Sequence, residues 1–301
     1  MSNHLLKHSC GIQPEWLEHL EGFLFEEAPS PWVLEVNHLT GEGTLSGFFN
    51  CKEDLLNHQK ALSDALGHAL KLNFSTEVIP NQQWQEVYKK HFKPWNYHHL
   101  HLIPLWLKDS YQLPSGDIAV YLDPGMAFGT GNHESTRMCL EFLIEKTEDK
   151  SCVDSLVDLG CGSGILSLVA KSIGFKKVWG IDNDPDAVRI SHENASLNQL
   201  SKSISFTSHN LAQLDKSWDK FNFVIANIQA DILISYSKNI MQLAKEDSVI
   251  ILSGILTKEI DQVTECFKKL TNSYLNHYAF KHMGEWSSIQ ITLKSKNRDI
   301  C

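Results

Sequence analysis

The sequence predicts an α/β protein, a doubly wound and mostly parallel sheet preceded by a small α+β unit. Three observations carry that expectation. The stretch Leu156 to Asp182, LVDLGCGSGILSLVAKSIGFKKVWGID, runs from an apolar strand through a glycine turn and a helix to a second apolar strand that ends in an acid. The same alternation of strand and helix continues to the C-terminus. The first 79 residues show a weaker pattern of the order βαββαβ.

In that first part a strand is expected near His4 to Cys10, and a helix over Pro14 to Glu27 with Trp16, Leu17, Leu20, Phe23 and Leu24 at helical spacing. Strands follow at Trp32 to Val36 and Thr44 to Phe49, joined by a turn containing Gly41 and Gly43. A second helix carries Leu55, Leu56, Ala61, Leu62, Leu66 and Leu70, and Ser75 to Ile79 closes the set. This order is that of a ferredoxin-like fold. Glu15, Glu18, Glu21, Glu26 and Glu27 make an acidic face on the first helix, either a solvated surface or a docking face for a basic partner.

Residues 80–95 read as a linker helix, with Trp84, Val87, Tyr88 and Phe92 at helical spacing and Pro94 as the stop. In Tyr97-His98-His99-Leu100-His101 a strand would place His99 and His101 on one face, but no cysteine or carboxylate stands at ligand spacing, and no metal is expected. Ile118 to Leu122 is a strand leading into the loop Asp123 to Thr136, DPGMAFGTGNHEST, with a helix over Arg137 to Ile144 that Ser135 or Thr136 would cap. After Asp182, Asp184-Pro185 starts a helix towards Leu197, with proline at its first position. Strands are expected at Ile204 to Thr207, Phe221 to Ala226 and Val249 to Leu252, and a helix over Thr257 to Leu270. A final hairpin pairs Ser273 to Phe280 with Ser288 to Leu293 across a loop holding Gly284 and Trp286.

The totals exclude several classes. There are 27 Lys and Arg against 36 acids, a net charge of -9, a poor balance for binding nucleic acid through its phosphates and a compatible one for a basic protein substrate. No apolar run approaches membrane-spanning length, and the N-terminus has no export signal. Seven cysteines without C-x-x-C pairs fit a reduced, cytoplasmic protein without a zinc site.

The glycine turn carries the chemistry. Glycines let backbone approach a ligand closely, and the helix that follows points free N–H groups at it. The spacing here is G-x-G-x-G, not the G-x-G-x-x-G of dinucleotide folds, and Asp158 stands two residues before Gly160. An acid there would repel a pyrophosphate but hold an ammonium, while Asp182 at the tip of the next strand takes both hydroxyls of a ribose. A ligand with an α-amino group at one end and a ribose at the other fits, and S-adenosyl-L-methionine (AdoMet) is the common one. Asp158, Asp182 and Asn227 all fall at strand carboxyl ends, where ligands of open α/β sheets lie.

The segments DPGMAFGTGNHEST, VDLGCGSGILSLVA, GIDNDPDAV, VIANIQADIL and LSGIL closely resemble the PrmA family, methyltransferases that modify ribosomal protein L-eleven of the large subunit. The resemblance extends over residues 84–290, including the linker QQWQEVYKKHFKPW and the late GEW. It implies a ferredoxin-like substrate-recognition domain (1–79), a linker helix (80–95) and a Rossmann-like class I methyltransferase domain (96–301). Carried over by position, Thr136, Gly160, Asp182 and Asn227 bind AdoMet, joined by Asp158 and Gly162 from the argument above. Asn227 is also the residue expected to aim the attacking amine. The implied substrate is a basic ribosomal protein methylated on lysine side chains or its N-terminal amine; another protein or a small-molecule amine is the alternative. Asn227-Ile228-Gln229-Ala230 lacks the N-P-P-aromatic run of enzymes that methylate base nitrogens, which argues against a nucleobase substrate.

Overall fold

The computed structural model describes residues 4–17, 20, 24, 31–36, 42–49, 51–66, 72–80, 93–122, 133–148, 154–214, 217–271 and 277–294. The linker segment 81–92, most of the first expected helix and residues 123–132 of the glycine-rich loop lie outside them, as do Glu18, Glu21, Glu26 and Glu27. The chain divides into two compact units, Met1–Phe92 and Lys93–Cys301.

In the first unit four strands, β1 (His4–Ile12), β2 (Trp32–Val36), β3 (Gly43–Phe49) and β4 (Ser75–Pro80), form one antiparallel sheet in the order β2-β3-β1-β4. That is the split βαβ arrangement of a ferredoxin-like fold, in which β3 lies between the first two strands. The inward residues alternate along the strands, with Cys10 and Ile12 on β1 and Leu45 and Phe49 on β3. Leu55 and Leu62 of helix α1 (Lys52–Leu66) close the core with Leu20 and Trp32. A short 3-10 turn, Pro14–Trp16, follows β1, with proline at its start.

The second unit is built on a seven-stranded sheet. Its strands are β8 (Ser155–Leu159), β9 (Lys177–Asp182), β10 (Ser205–Ser208), β11 (Phe221–Asn227), β12 (Ala244–Leu256), β13 (His277–Met283) and β14 (Trp286–Thr292). The order is β10-β9-β8-β11-β12-β14-β13, parallel except for β14, which runs antiparallel to both of its neighbours. Counted within the sheet this is 3-2-1-4-5-7-6. A dinucleotide-binding sheet runs 3-2-1-4-5-6, so the seventh strand, wedged antiparallel between five and six, marks the class I methyltransferase arrangement.

Both faces are covered, as a parallel sheet requires. Alternate residues Leu156, Phe223, Ile225 and Ile251 face α2 (Glu134–Thr147) and α3 (Ile165–Ser172). Val157, Leu159, Val224, Ala226, Ile250 and Leu252 face α5 (Ala230–Ser235), α6 (Ser237–Gln242) and α7 (Ile260–Leu270). Helix α4 (Pro185–Leu197) starts at Asp184, whose side chain accepts from Asp186 N, with Pro185 at the first position. Among the described residues no helix is long and apolar enough to cross a membrane.

Three expectations are corrected. The histidine run is a hairpin rather than one strand: β5 (Trp95–Tyr97) and β6 (Leu100–Pro104) pair across a turn at His98 and His99, and β6 lies parallel to β7 (Ile118–Leu122). His98 has φ 48°, and His101 is buried with its ring nitrogens on Tyr111 Oη (2.7 Å) and Asp117 Oδ2 (2.8 Å). The terminal hairpin is displaced, with β13 ending at Met283 and Trp286 opening β14 rather than lying in the loop. β12 does not stop at Leu252; it continues to Leu256 through a bulge between Leu252 and Ile255. Gly254 makes that possible, since a Cβ there would stand 2.6 Å from the Ile228 carbonyl oxygen and φ is +77°.

One ionic cluster fastens α2 to the sheet edge. Lys281 Nζ on β13 donates to Glu141 Oε2 (2.7 Å) and Glu145 Oε1 (2.6 Å) and stands over the Phe142 ring, while Tyr97 Oη donates to the same Glu145 oxygen (2.6 Å). The lysine side chain is 20% exposed, so Lys281→Met strands two half-buried carboxylates. The expected loss is about 2 kcal/mol, the partial exposure reducing the cost of a fully buried pair. Thermal unfolding should show a midpoint lowered by about 4–8 °C, and an unchanged midpoint would remove this cluster from the account of stability.

Candidate active site

The glycine turn joins β8 to α3. Gly160, Gly162 and Gly164 all have positive φ (71°, 52° and 79°), the left-handed region in which L side chains are strained. A Cβ on Gly160 would stand 2.3 Å from Ile228 Cγ2, so this glycine also allows the turn to lie against the segment after β11. The turn is tied to β9, since Gly160 N and Cys161 N both donate to Ile181 O, at 2.8 and 3.0 Å.

Asp182, at the end of β9, holds the turn as well. Its Oδ2 accepts from Gly162 N (2.9 Å) and its Oδ1 from Asp184 N (3.0 Å), fixing the carboxylate between two backbone segments at the sheet's rim. From α4, Ser191 Oγ donates to Gly162 O (2.8 Å) and Asn194 Nδ2 to Ser163 O (2.9 Å). Sequence reading missed this pair; the signal was a Ser191-x-x-Asn194 spacing that puts both on one helical face.

Asp158 lies deeper than its neighbours. It is fully buried, and Oδ2 accepts from Ser167 N (3.1 Å) and Ser167 Oγ (2.8 Å) on α3. Among the described residues Oδ1 has no hydrogen-bond partner. Burial pushes the carboxyl up to about 7, with the Ser167 bonds opposing the rise and the Asp182 charge adding to it. A buried carboxylate oxygen without a donor is costly unless something cationic or hydrogen-bonding meets it.

The last two expected residues meet across 91 positions of sequence: Asn227 Nδ2, at the carboxyl end of β11, donates to Thr136 Oγ1 at 3.2 Å. Thr136 is buried in the first turn of α2. That helix is not capped by Ser135 or Thr136 as expected. His133 is the N-cap, its Nδ1 accepting from Ser135 N (3.3 Å) and standing 2.7 Å from Ser135 Oγ. Burial lowers the His133 ring below the usual histidine range. Ser253 on β12 fixes the same turn, its Oγ donating to Ser135 O (2.9 Å), while Ile228 N donates to Ser253 O (3.2 Å).

Thus Asp158, Gly160, Gly162 and Asp182 are brought together by the first two strands of the sheet and the turn between them. Thr136 and Asn227 form a second cluster beside the Ile228 side chain that touches Gly160. A purely packing turn needs neither the orphaned Asp158 oxygen nor the paired Thr136 and Asn227. Both clusters stand at the carboxyl edge of the parallel strands, where helix α3 also begins.

The family model "Ribosomal protein L11 methyltransferase (PrmA)" matches residues 9–294. That span takes in the first unit, where sequence motifs alone stopped at residue 84. A ribosomal protein L11 methyltransferase of Campylobacter lari is 37% identical over 79% of this chain and 80% of its own. One from Ruminiclostridium cellulolyticum is 30% identical over 91% of this chain and 83% of its own. The crystal structure of ribosomal protein L11 methylase from Lactobacillus delbrueckii subsp. bulgaricus superposes with a TM-score of 0.58 at 29% identity, covering 68% of this chain and all of that one. The sheet order, the site at its carboxyl edge and these matches agree: the chain belongs to the ribosomal protein L11 methyltransferase (PrmA) family.

Proposed function

We propose that this chain transfers methyl groups from AdoMet to amino groups of ribosomal protein L11, on lysine side chains or the N-terminal amine. The observation that carries the reading is the orphaned, buried Oδ1 of Asp158 beside a glycine turn that Asp182 pins from the next strand. An α-ammonium satisfies the first and a ribose diol the second. Gly160 and Gly162 admit the ligand against backbone, and Thr136 and Asn227 flank it on the α2 side. The net charge of -9 suits a basic protein target, and the cytoplasm suits a chain whose described cysteines are all free thiols.

When bound, AdoMet supplies a methyl carbon made electrophilic by the attached sulfonium. The residues of this chain prepare the amine that attacks it. A lysine ammonium has no lone pair, and its ordinary pKa is about 10.4, so the site must favour the neutral amine. Removal from water and a neighbouring positive charge both do so. With Nδ2 of Asn227 donating to Thr136, the amide oxygen accepts an amine N–H and aims the lone pair. Held there as the free base, the amine would be able to accept the methyl group that AdoMet supplies, and its extra proton would leave to solvent. Positioning is the main contribution, worth up to roughly 7–11 kcal/mol in favourable cases.

The test is incubation of the protein with purified L11 and AdoMet carrying a labelled methyl group, with the label located by mass spectrometry. Label on L11 amines is the expected result; AdoMet binding without transfer to L11 points to a different acceptor. Asn227→Ala should lower kcat about 30-fold, the worth of one well-placed hydrogen bond near a developing charge. An unaltered kcat would remove Asn227 from the aiming role.

A further inference from the structure

We propose that Trp286, with His133 edge-on beside it, forms the wall of the passage through which the target's amine-bearing side chain reaches Asn227. The proposal rests on the methyl-transfer reading above and assigns a specificity-determining residue to it.

The register places the indole. Asn227 pairs with Ser253 across β11 and β12. Ser253 Oγ in turn meets Ser288 Oγ on β14 at 2.5 Å, on the side where Ser253 also bonds the first turn of α2. Trp286 is two residues from Ser288, so its side chain leaves β14 on that same face, about 7 Å further along the strand. Because β14 is antiparallel to β12, this step runs towards the carboxyl end of β12, where Leu256 pairs with Trp286. The indole therefore stands at the rim above the Asn227–Ser253 pair. The His133 ring meets it there, with centroids 4.7 Å apart and planes at 70°. His133 caps the helix whose third residue, Thr136, holds the Asn227 amide. A half-buried indole, an imidazole and the amide thus follow one another down one side of the site.

The occupant is defined by chemistry. A lysine presents four methylenes and a terminal amine, and its stem needs apolar surface while the amine is drawn out of water. A flat aromatic wall beside an amide acceptor supplies both.

The test compares Trp286→Ala and Trp286→Phe with the wild type, measuring KM and kcat for L11 and, separately, the Kd for AdoMet by calorimetry. Trp286→Ala is expected to raise KM for L11 about tenfold with the AdoMet Kd within twofold of wild type, and Trp286→Phe to restore most of the loss. An unchanged KM in Trp286→Ala overturns the proposal, as does a parallel loss of AdoMet affinity, which would make the indole a support of the cofactor site or of the fold. A wild-type protein that transfers nothing to L11 overturns the methyl-transfer reading and this inference together, whereas an active wild type with an indifferent Trp286 overturns this inference alone.

Discussion

Asp182→Ala is expected to weaken AdoMet binding by two to three orders of magnitude and to leave the fold in place. Two effects add. The half-buried carboxylate ends the strand that follows the glycine turn, and each charge-assisted bond to a ribose hydroxyl contributes about 1.5–3 kcal/mol. The same oxygens fix the Gly162 and Asp184 amides, so alanine also loosens the turn that must approach the ligand. Asp182 sits at the sheet's rim rather than in either apolar layer, and none of the core packing on β9 depends on it. Calorimetric titration with AdoMet checks the affinity, and thermal unfolding without ligand checks the fold. An unaltered affinity would remove the ribose role; collapse of the unliganded fold would make Asp182 a structural residue first.

The two clusters differ in how legible they were. Asp158, Gly160, Gly162 and Asp182 lie within 25 residues, and their spacing follows from a strand, a turn and a helix of fixed geometry. Helix α4 was equally plain, because Asp184 and Pro185 encode its start by capping and fixed φ. The pairing of Thr136 with Asn227 is different. Separate motifs marked each residue, but only the packing of α2 across β12 and β14 brings the two side chains within hydrogen-bonding reach. The cap by His133 was missed because preference favours Ser and Thr at that position, and the local bonds to Ser135 together with the ring contact to Trp286 outweighed it. β12 was read too short for a related reason. Ser253-Gly254 reads as a breaker in isolation, whereas the bulge lets the strand pass the Ile228 backbone. β5 and β6 were read as one strand because the first is three residues long and the turn between them consists of histidines.

Asp158 should make both stability and AdoMet affinity depend on pH, in opposite directions. Its folded-state pKa is about 7, against about 3.9 for an unfolded aspartate. Between those values the unfolded chain has released a proton that the folded chain retains, so stability without ligand falls as pH rises through the window. The loss from this one group is on the order of 4 kcal/mol by pH 8. A bound α-ammonium supplies the missing partner for Oδ1 and favours the ionised acid, so affinity should rise from pH 5.5 to 7.5. Above about pH 8 the ligand's own α-amino group loses its proton and the affinity should turn down again. At pH 6, calorimetry in two buffers of different ionisation heat should reveal nearly one proton released per AdoMet bound. Asp158→Asn keeps the shape and loses the titration: it should bind about 30–100-fold more weakly at pH 7.5, release no proton and show a flatter stability profile. Proton release that persists in Asp158→Asn would place the coupled group elsewhere. Affinity independent of pH in the wild type would mean that Asp158 is already ionised before AdoMet binds or that the ammonium does not meet it, and the affinity of Asp158→Asn at pH 7.5 separates the two.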